Sequence, residues 1–210
     1  MQFKADRQID RLALPITRAC DRRCPECPAR EREGSAGRGH VSVDELKWAG
    51  KLIGPIGHVE VTGGEPTLHP EFAEISDHIH EWFDSKDIMV LTNGWLPEGR
   101  WDSLLKWDRV YISWYTDQFA ATYKTDSNTE AVKRLEAWLK ERGKPTFVQK
   151  MDAHVPFGIG PRTEAKCRFG YDRNDMVTYY RGQVWGCCTA WQLDNPGRGV
   201  VLTDKWREDL

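Results

Sequence analysis

Three cysteines fall within eight residues, Cys20-Asp-Arg-Arg-Cys24-Pro-Glu-Cys27. A C-x3-C-x2-C spacing can gather three thiolates around one metal centre on a loop. A closed tetrahedral zinc site or an ordinary cubane iron-sulfur cluster takes four ligands, so three leave one position open. An iron in that position could bind something else. Downstream, Gly63-Gly64-Glu65-Pro66 joins two residues without a side chain to a carboxylate that can receive charge-assisted hydrogen bonds. A second set, Cys167, Cys187 and Cys188, lies near the C-terminus.

The elements that must position these residues alternate. Residues 11–16 are apolar and predict a first buried strand running into the cysteine loop; residues 28–40, rich in Arg, Glu and Gly, predict an exposed loop. Ser42 and Glu45 have capping-box spacing ahead of a helix through Leu46, Ala49, Leu52 and Ile53, stopped by Gly54-Pro55. Residues 58–62 predict a second strand ending in the Gly-Gly-Glu-Pro loop. Pro70 suits the first turn of the next helix, whose apolar face is Phe72, Ile75, Ile79 and Phe83. A third strand at 88–91 leads into Thr92-Asn93-Gly94. A short helix at 101–106, a fourth strand at 110–114, a helix at about 129–142 and a fifth strand at 146–150 follow.

Strand-helix alternation predicts parallel pairing with right-handed crossovers. A complete eight-stranded barrel takes about 250 residues, and only five or six such strands fit before residue 155 or so. The expected fold is therefore α/β, a partial parallel β/α barrel over 1–155. A C-terminal extension over 156–210 carries a β-hairpin from strands at 176–180 and 183–185. Each polar or Gly-rich signal follows a strand, so all fall on the C-terminal rim, where parallel α/β folds build their sites.

The chain has 210 residues, 40% hydrophobic and 30% charged, with a formal charge of -2. This reads as a globular chain without a strong nucleic-acid signal. No apolar run approaches the roughly 20 residues of a membrane span, and the polar start is not a signal peptide. A cytoplasmic location is the default, where six cysteines favour metal ligation over disulfides.

The cysteine spacing together with Gly63-Gly64-Glu65-Pro66 resembles the radical S-adenosylmethionine (SAM) superfamily, over roughly residues 11–151. The resemblance implies a partial barrel carrying a 4Fe-4S cluster on Cys20, Cys24 and Cys27, with SAM chelating the fourth iron. An electron from a reductant such as flavodoxin or ferredoxin would then split SAM to a 5′-deoxyadenosyl radical that abstracts a substrate hydrogen. By the same resemblance, Gly63, Gly64, Glu65 and Pro66 would border the SAM methionine group. Ser113 matches a ribose or carboxylate contact, and Asn93 and Gln149 are further candidates. Members usually carry an aromatic residue before the third cysteine; here Glu26 stands there, so adenine packing must come from elsewhere.

Cys167 and Cys187, with Gly182 between them, resemble the opening of the auxiliary-cluster extension of some members. A second iron-sulfur cluster on Cys167, Cys187 and Cys188 is one reading; buried thiols packing the tail is the other. The substrate reading is a small molecule or nucleotide. The alternative is a peptide or protein side chain. Few residues precede the first strand, so that alternative expects a leader-binding domain on a separate partner. A zinc-stabilised binding module, with His40 or a tail cysteine as fourth ligand, is the reading from another class. Arg18, Arg22, Arg23, Arg30 and Arg32 crowd the cysteine loop, either solvated or meeting an anionic substrate. Trp114-Tyr115 near the rim either packs or lines a pocket.

Overall fold

The computed structural model describes residues 9–22, 39–151, 176–180, 183–185 and 200–201. Five parallel strands follow one another across a sheet: β1 Ile9–Thr17, β2 Ile56–Gly63, β3 Ser85–Thr92, β4 Arg109–Tyr115 and β5 Thr146–Met151. The connections carry α1 Val43–Ile53, α2 Phe72–Trp82, a 3₁₀ helix Glu98–Lys106, α3 Asp117–Tyr123 and α4 Thr129–Glu141. This is the expected partial β/α barrel, with β5 at one edge of the sheet.

The strands alternate between two faces, as a period of two requires. Leu12, Leu14 and Ile16 of β1, Val59 and Val61 of β2, Ile88 and Val90 of β3, and Val110 and Ile112 of β4 are buried in one core. Against them pack Leu46, Ala49 and Ile53 of α1, Phe72, Ile75 and Ile79 of α2, and Val132, Leu135 and Leu139 of α4. Several alternate positions toward the N-terminal ends of the strands are charged: Arg11 meets Glu60 at 3.6 Å, His58 meets Asp87 at 3.2 Å, and Arg109 grips the same Asp87 through two nitrogens. Burial pushes the Glu60 carboxyl up, opposed by the Arg11 charge beside it. One face of the sheet is thus a helix-covered core, and the other carries this charged cluster.

The hairpin forms where expected, β6 Met176–Tyr180 and β7 Gln183–Trp185, with Tyr180 opposite Gln183. It joins the barrel sheet itself. β6 runs parallel to β1 (Leu12 opposite Val177), so the sheet order is β5-β4-β3-β2-β1-β6-β7-β8, with β8 at Val200–Val201. Tyr179 is fully buried, and its hydroxyl donates to Glu45 of α1 at 3.1 Å. That bond also alters the capping box. Ser42 accepts from the Glu45 N–H at 3.2 Å, as its spacing predicts, while the Glu45 carboxylate is used to hold β6.

Two elements differ from the sequence reading. Pro70 lies in a turn ahead of α2, because a 3₁₀ turn, Pro66–Leu68, forms first and His69 accepts from the Phe72 and Glu71 N–H groups. The short α3 was not expected, since seven residues show little periodicity. It exists because Thr116 caps the Phe119 N–H at 3.1 Å and Phe119 is fully buried. Among the described residues no helix is long and apolar enough to cross a membrane.

Docking of β6 predicts a graded response at Tyr179. Tyr179→Phe should lower the unfolding free energy by about 1 kcal/mol through the lost hydrogen bond. Tyr179→Ala should lower it by about 3–5 kcal/mol through the cavity. Urea unfolding checks both, and equal stabilities would mean that β6 does not pack on α1.

Candidate active site

Cys20 lies three residues past β1 and is exposed, its Sγ 3.9 Å from Asp21 Oδ1. Cys24, Cys27 and Glu26 lie outside the described residues, as do Cys167, Cys187 and Cys188. The stem that carries Cys20 is fixed by backbone bonds on two sides. On one side the returning chain pairs with it: the Arg18 N–H donates to Gly39 O and the Val41 N–H to Ile16 O, each at 2.9 Å. Thr17, fully buried, accepts the Ala19 N–H on its hydroxyl at 3.0 Å and contacts His40 Nδ1 at 2.9 Å. His69 supports the returning chain from below. Its Nδ1 accepts the Glu71 N–H, so its Nε2 carries the proton donated to Val41 O at 2.8 Å. Burial holds the His69 pKa below its ordinary value.

On the other side stands the Gly-Gly-Glu-Pro loop. The Gly64 N–H donates to Thr17 O and the Glu65 N–H to Ala19 O, both at 2.7 Å. The β1–β2 register slips between Pro15 and Thr17, leaving Thr17 opposite Gly63. This irregularity turns the end of β1 toward the loop. A Cβ on Gly63 would sit 2.2 Å from Thr17 O, and one on Gly64 2.3 Å from Ala19 O. The φ of Gly63 is +146°, which also favours glycine. The two glycines therefore admit the backbone of the cysteine stem itself.

Glu65 is buried at 1% exposure, yet both of its carboxylate oxygens are bonded. Oε1 accepts from the Thr67 N–H at 3.2 Å, the Thr67 hydroxyl at 2.7 Å and the Thr92 hydroxyl at 2.8 Å; Oε2 accepts from the Asn93 N–H at 2.7 Å. Burial pushes its pKa up to about 6 against these four donors. Glu65 thus ties the end of β2 to the end of β3, and Pro66 opens the 3₁₀ turn that places Thr67 beneath the carboxylate.

Asn93 extends the network. It is buried, its side-chain amide donates to Asp21 Oδ1 at 2.7 Å, and its carbonyl accepts from Asn128 Nδ2 at 2.5 Å. Asn128 also donates to Ser113 O at 2.8 Å and accepts the Tyr115 N–H at 2.7 Å. Gly63 to Asn93 and the residue beside Cys20 are therefore joined directly, and Ser113 through its carbonyl. Gln149 sits opposite Ser113 on β5, exposed and one strand further out. Sequence reasoning missed Asn128. Its signal is an N-cap position before α4, but its side chain makes no cap there and binds strand ends instead.

The Trp114-Tyr115 pair divides by strand alternation. Trp114 packs against the core and donates to Thr129 at 3.0 Å, whereas Tyr115 faces Arg22, whose guanidinium lies 4.3 Å from its ring centroid. Arg22 is 8% exposed, between Tyr115 and Trp95.

The partial β/α barrel thus carries a cysteine on its rim, with the stem of that cysteine clamped by the Gly-Gly-Glu-Pro turn. The family model described as the Radical SAM superfamily matches residues 14–151. The chain belongs to that superfamily, and it is an enzyme. Among curated proteins it is 33% identical over 96 residues to the GTP 3',8-cyclase of Actinobacillus pleuropneumoniae serotype 3 (strain JL03), covering 44% of this chain and 28% of that one. The chain thus aligns with little more than a quarter of the curated relatives it matches. Among solved structures it is similar to BtrN in complex with AdoMet and 2-DOIA, with a TM-score of 0.62 at 14% identity over 89% of this chain and 76% of that one. It is also similar to Streptococcus suis SuiB bound to the precursor peptide SuiA, with a TM-score of 0.52 at 12% identity over 96% and 65% of the two chains. These identities speak for a shared fold.

Two measurements probe the clamp. Gly64→Ala should lower stability by about 1–3 kcal/mol in urea unfolding, because a backbone oxygen has to move. Glu65 gives a pH signature. The unfolded carboxyl titrates near 4.5 and the folded one near 6, so between these values the folded chain holds the extra proton. Its stability contribution is full below 4.5 and falls by about 2 kcal/mol as the pH rises through 6. The difference between wild-type and Glu65→Gln urea curves across that window should show this fall; a flat difference would contradict the buried carboxyl.

Proposed function

We propose that this enzyme holds a 4Fe-4S cluster on Cys20, Cys24 and Cys27, binds SAM beside it, and abstracts hydrogen from a small-molecule or nucleotide-type substrate. The observation that carries the reading is the pair of 2.7 Å backbone bonds joining the stem of Cys20 to Gly64 and Glu65. They hold a thiol donor and a side-chain-free turn at one end of the parallel sheet. The donor set suits an iron-sulfur cluster: Cys20 is exposed on the rim, and three thiolates leave one iron for SAM. When bound, the cluster would supply the electron that cleaves SAM to methionine and a 5′-deoxyadenosyl radical, the chemistry belonging to the cofactor.

The chain's own residues bind and orient. Gly63 and Gly64 keep the loop low against the cysteine stem, and Glu65 fixes that loop to β3 at neutral pH as a carboxylate. Asn93 and Asn128 lock the ends of β3 and β4, so Ser113 is presented from a rigid strand end. Gln149 is the candidate contact on the outer strand. An electron carrier such as flavodoxin or ferredoxin would reduce the cluster, in the reducing cytoplasm that thiolate ligation favours.

The relative named for action on GTP supports the small-molecule class. Modification of a peptide side chain is the second reading. Cys167, Cys187 and Cys188 are the candidate ligands of an additional cluster.

Anaerobic reconstitution tests the function. The expected content is about four irons per chain for one cluster, or about eight with an auxiliary one. SAM and dithionite should then give 5′-deoxyadenosine, and Cys24→Ala should abolish it. Zinc in place of iron, or undiminished 5′-deoxyadenosine in that variant, would refute the assignment.

A further inference from the structure

The guanidinium of Arg22 is buried and largely unpaired. Its Nη2 donates to the carbonyl of Asp126, while Nε and Nη1 are inaccessible to solvent and have no hydrogen-bond partner among the described residues. A guanidinium offers five N–H donors, and leaving several buried without acceptors is costly. No ion pair among the described residues explains it. Asp21, the neighbouring acid, gives its Oδ1 to Asn93, and Asp126 contributes only its backbone. The ring centroids of Tyr115 and Trp95 lie 4.3 and 5.6 Å away, so aromatic faces hold the cation without satisfying its N–H groups. Trp95 is the outer wall of this cage, at 40% exposure.

We propose that Arg22 is the anchor for an oxyanion, a carboxylate or a phosphate, carried by the substrate. The proposal rests on the function stated above, because it takes the barrel rim as the substrate face. A planar fork held between aromatic rings is suited to an anion approaching its edge, and Arg does this better than Lys because its donors lie in one plane. The location separates this anion from the loop assigned to the SAM methionine group. The loop assigned to SAM ends β2, whereas Tyr115 ends β4, two strands along the sheet, and Trp95 and Asp126 follow β3 and α3. Entry past Trp95 would bring an acidic group to Arg22, two residues from Cys20, and so place the rest of the substrate beside the cluster loop.

Calorimetric titration of the reconstituted protein tests this, with tripolyphosphate, succinate and SAM in separate arms. One of the two anions should bind wild type; tripolyphosphate would assign a phosphate-bearing substrate, succinate a carboxylate-bearing one. Arg22→Gln should weaken that anion at least about tenfold, Arg22→Lys should lose less, and SAM affinity should change less than about twofold. An equal loss of SAM affinity would make the SAM carboxylate the occupant and overturn the proposal, as would binding of neither anion or unchanged binding in Arg22→Gln. Thermal unfolding gives a second readout. Without anion, Arg22→Gln should melt no lower than wild type, because an unpaired buried charge has gone; the anion should raise the midpoint of wild type alone. A variant that melts well below wild type without anion would mark Arg22 as a structural tie and overturn the assignment. Iron content and 5′-deoxyadenosine formation in wild type report separately on the radical function. A chain that binds the anion through Arg22 but takes no iron would sink that function and leave the anion site standing.

Discussion

The approach of two backbones at the ends of β1 and β2 governs the site. Gly64 and Glu65 donate at 2.7 Å to Thr17 and Ala19, and side chains at positions 63 and 64 would collide with those same carbonyls. Neighbouring parallel strands diverge once their ladder ends, so a loop after one strand does not by itself control the loop after the next. Here the ladder is prolonged past the register slip at Pro15–Thr17 by two irregular bonds. The cysteine loop therefore leaves the sheet from a fixed point, and its return through Gly39 and Val41 closes the base.

Glu65 converts that local clamp into a connection across the sheet. A carboxylate at 1% exposure is unfavourable unless its oxygens are filled, and here Thr67, Thr92 and Asn93 fill them. The raised pKa, about 6, records the remaining desolvation. Asn93 passes the connection to Asp21 and Asn128, and Asn128 to Ser113 and Tyr115. Four strand ends thus share one polar network beneath the rim. Arg22 contrasts with it, as a buried charge with two nitrogens that have no hydrogen-bond partner among the described residues.

Much of the fold was legible because periodicity is a local property. The face Phe72, Ile75, Ile79 and Phe83 packs as read, α4 and the five strands fall where the apolar patterns place them, and β6 and β7 match the hairpin. What escaped was set by contacts distant in sequence. The short α3 depends on burying Phe119; the displacement of Pro70 depends on the turn that Glu65 and His69 hold; and Glu45, read as half of a capping box, serves Tyr179, which is 134 residues away.

Residue types and spacing by themselves determined the superfamily. Three thiols in C-x3-C-x2-C and a Gly-Gly-Glu-Pro turn after the second strand are legible because ligand number and the absence of a Cβ are properties of the residues. The tertiary structure alone decided what those residues face. Gly63 and Gly64 admit the cysteine stem, Glu65 spends its carboxylate on Thr67, Thr92 and Asn93, and one arginine among several near the cysteines is enclosed by Tyr115 and Trp95. The physical reason is that burial and hydrogen-bond satisfaction are properties of neighbours, and the parallel crossovers bring those neighbours from four strand ends scattered along the chain.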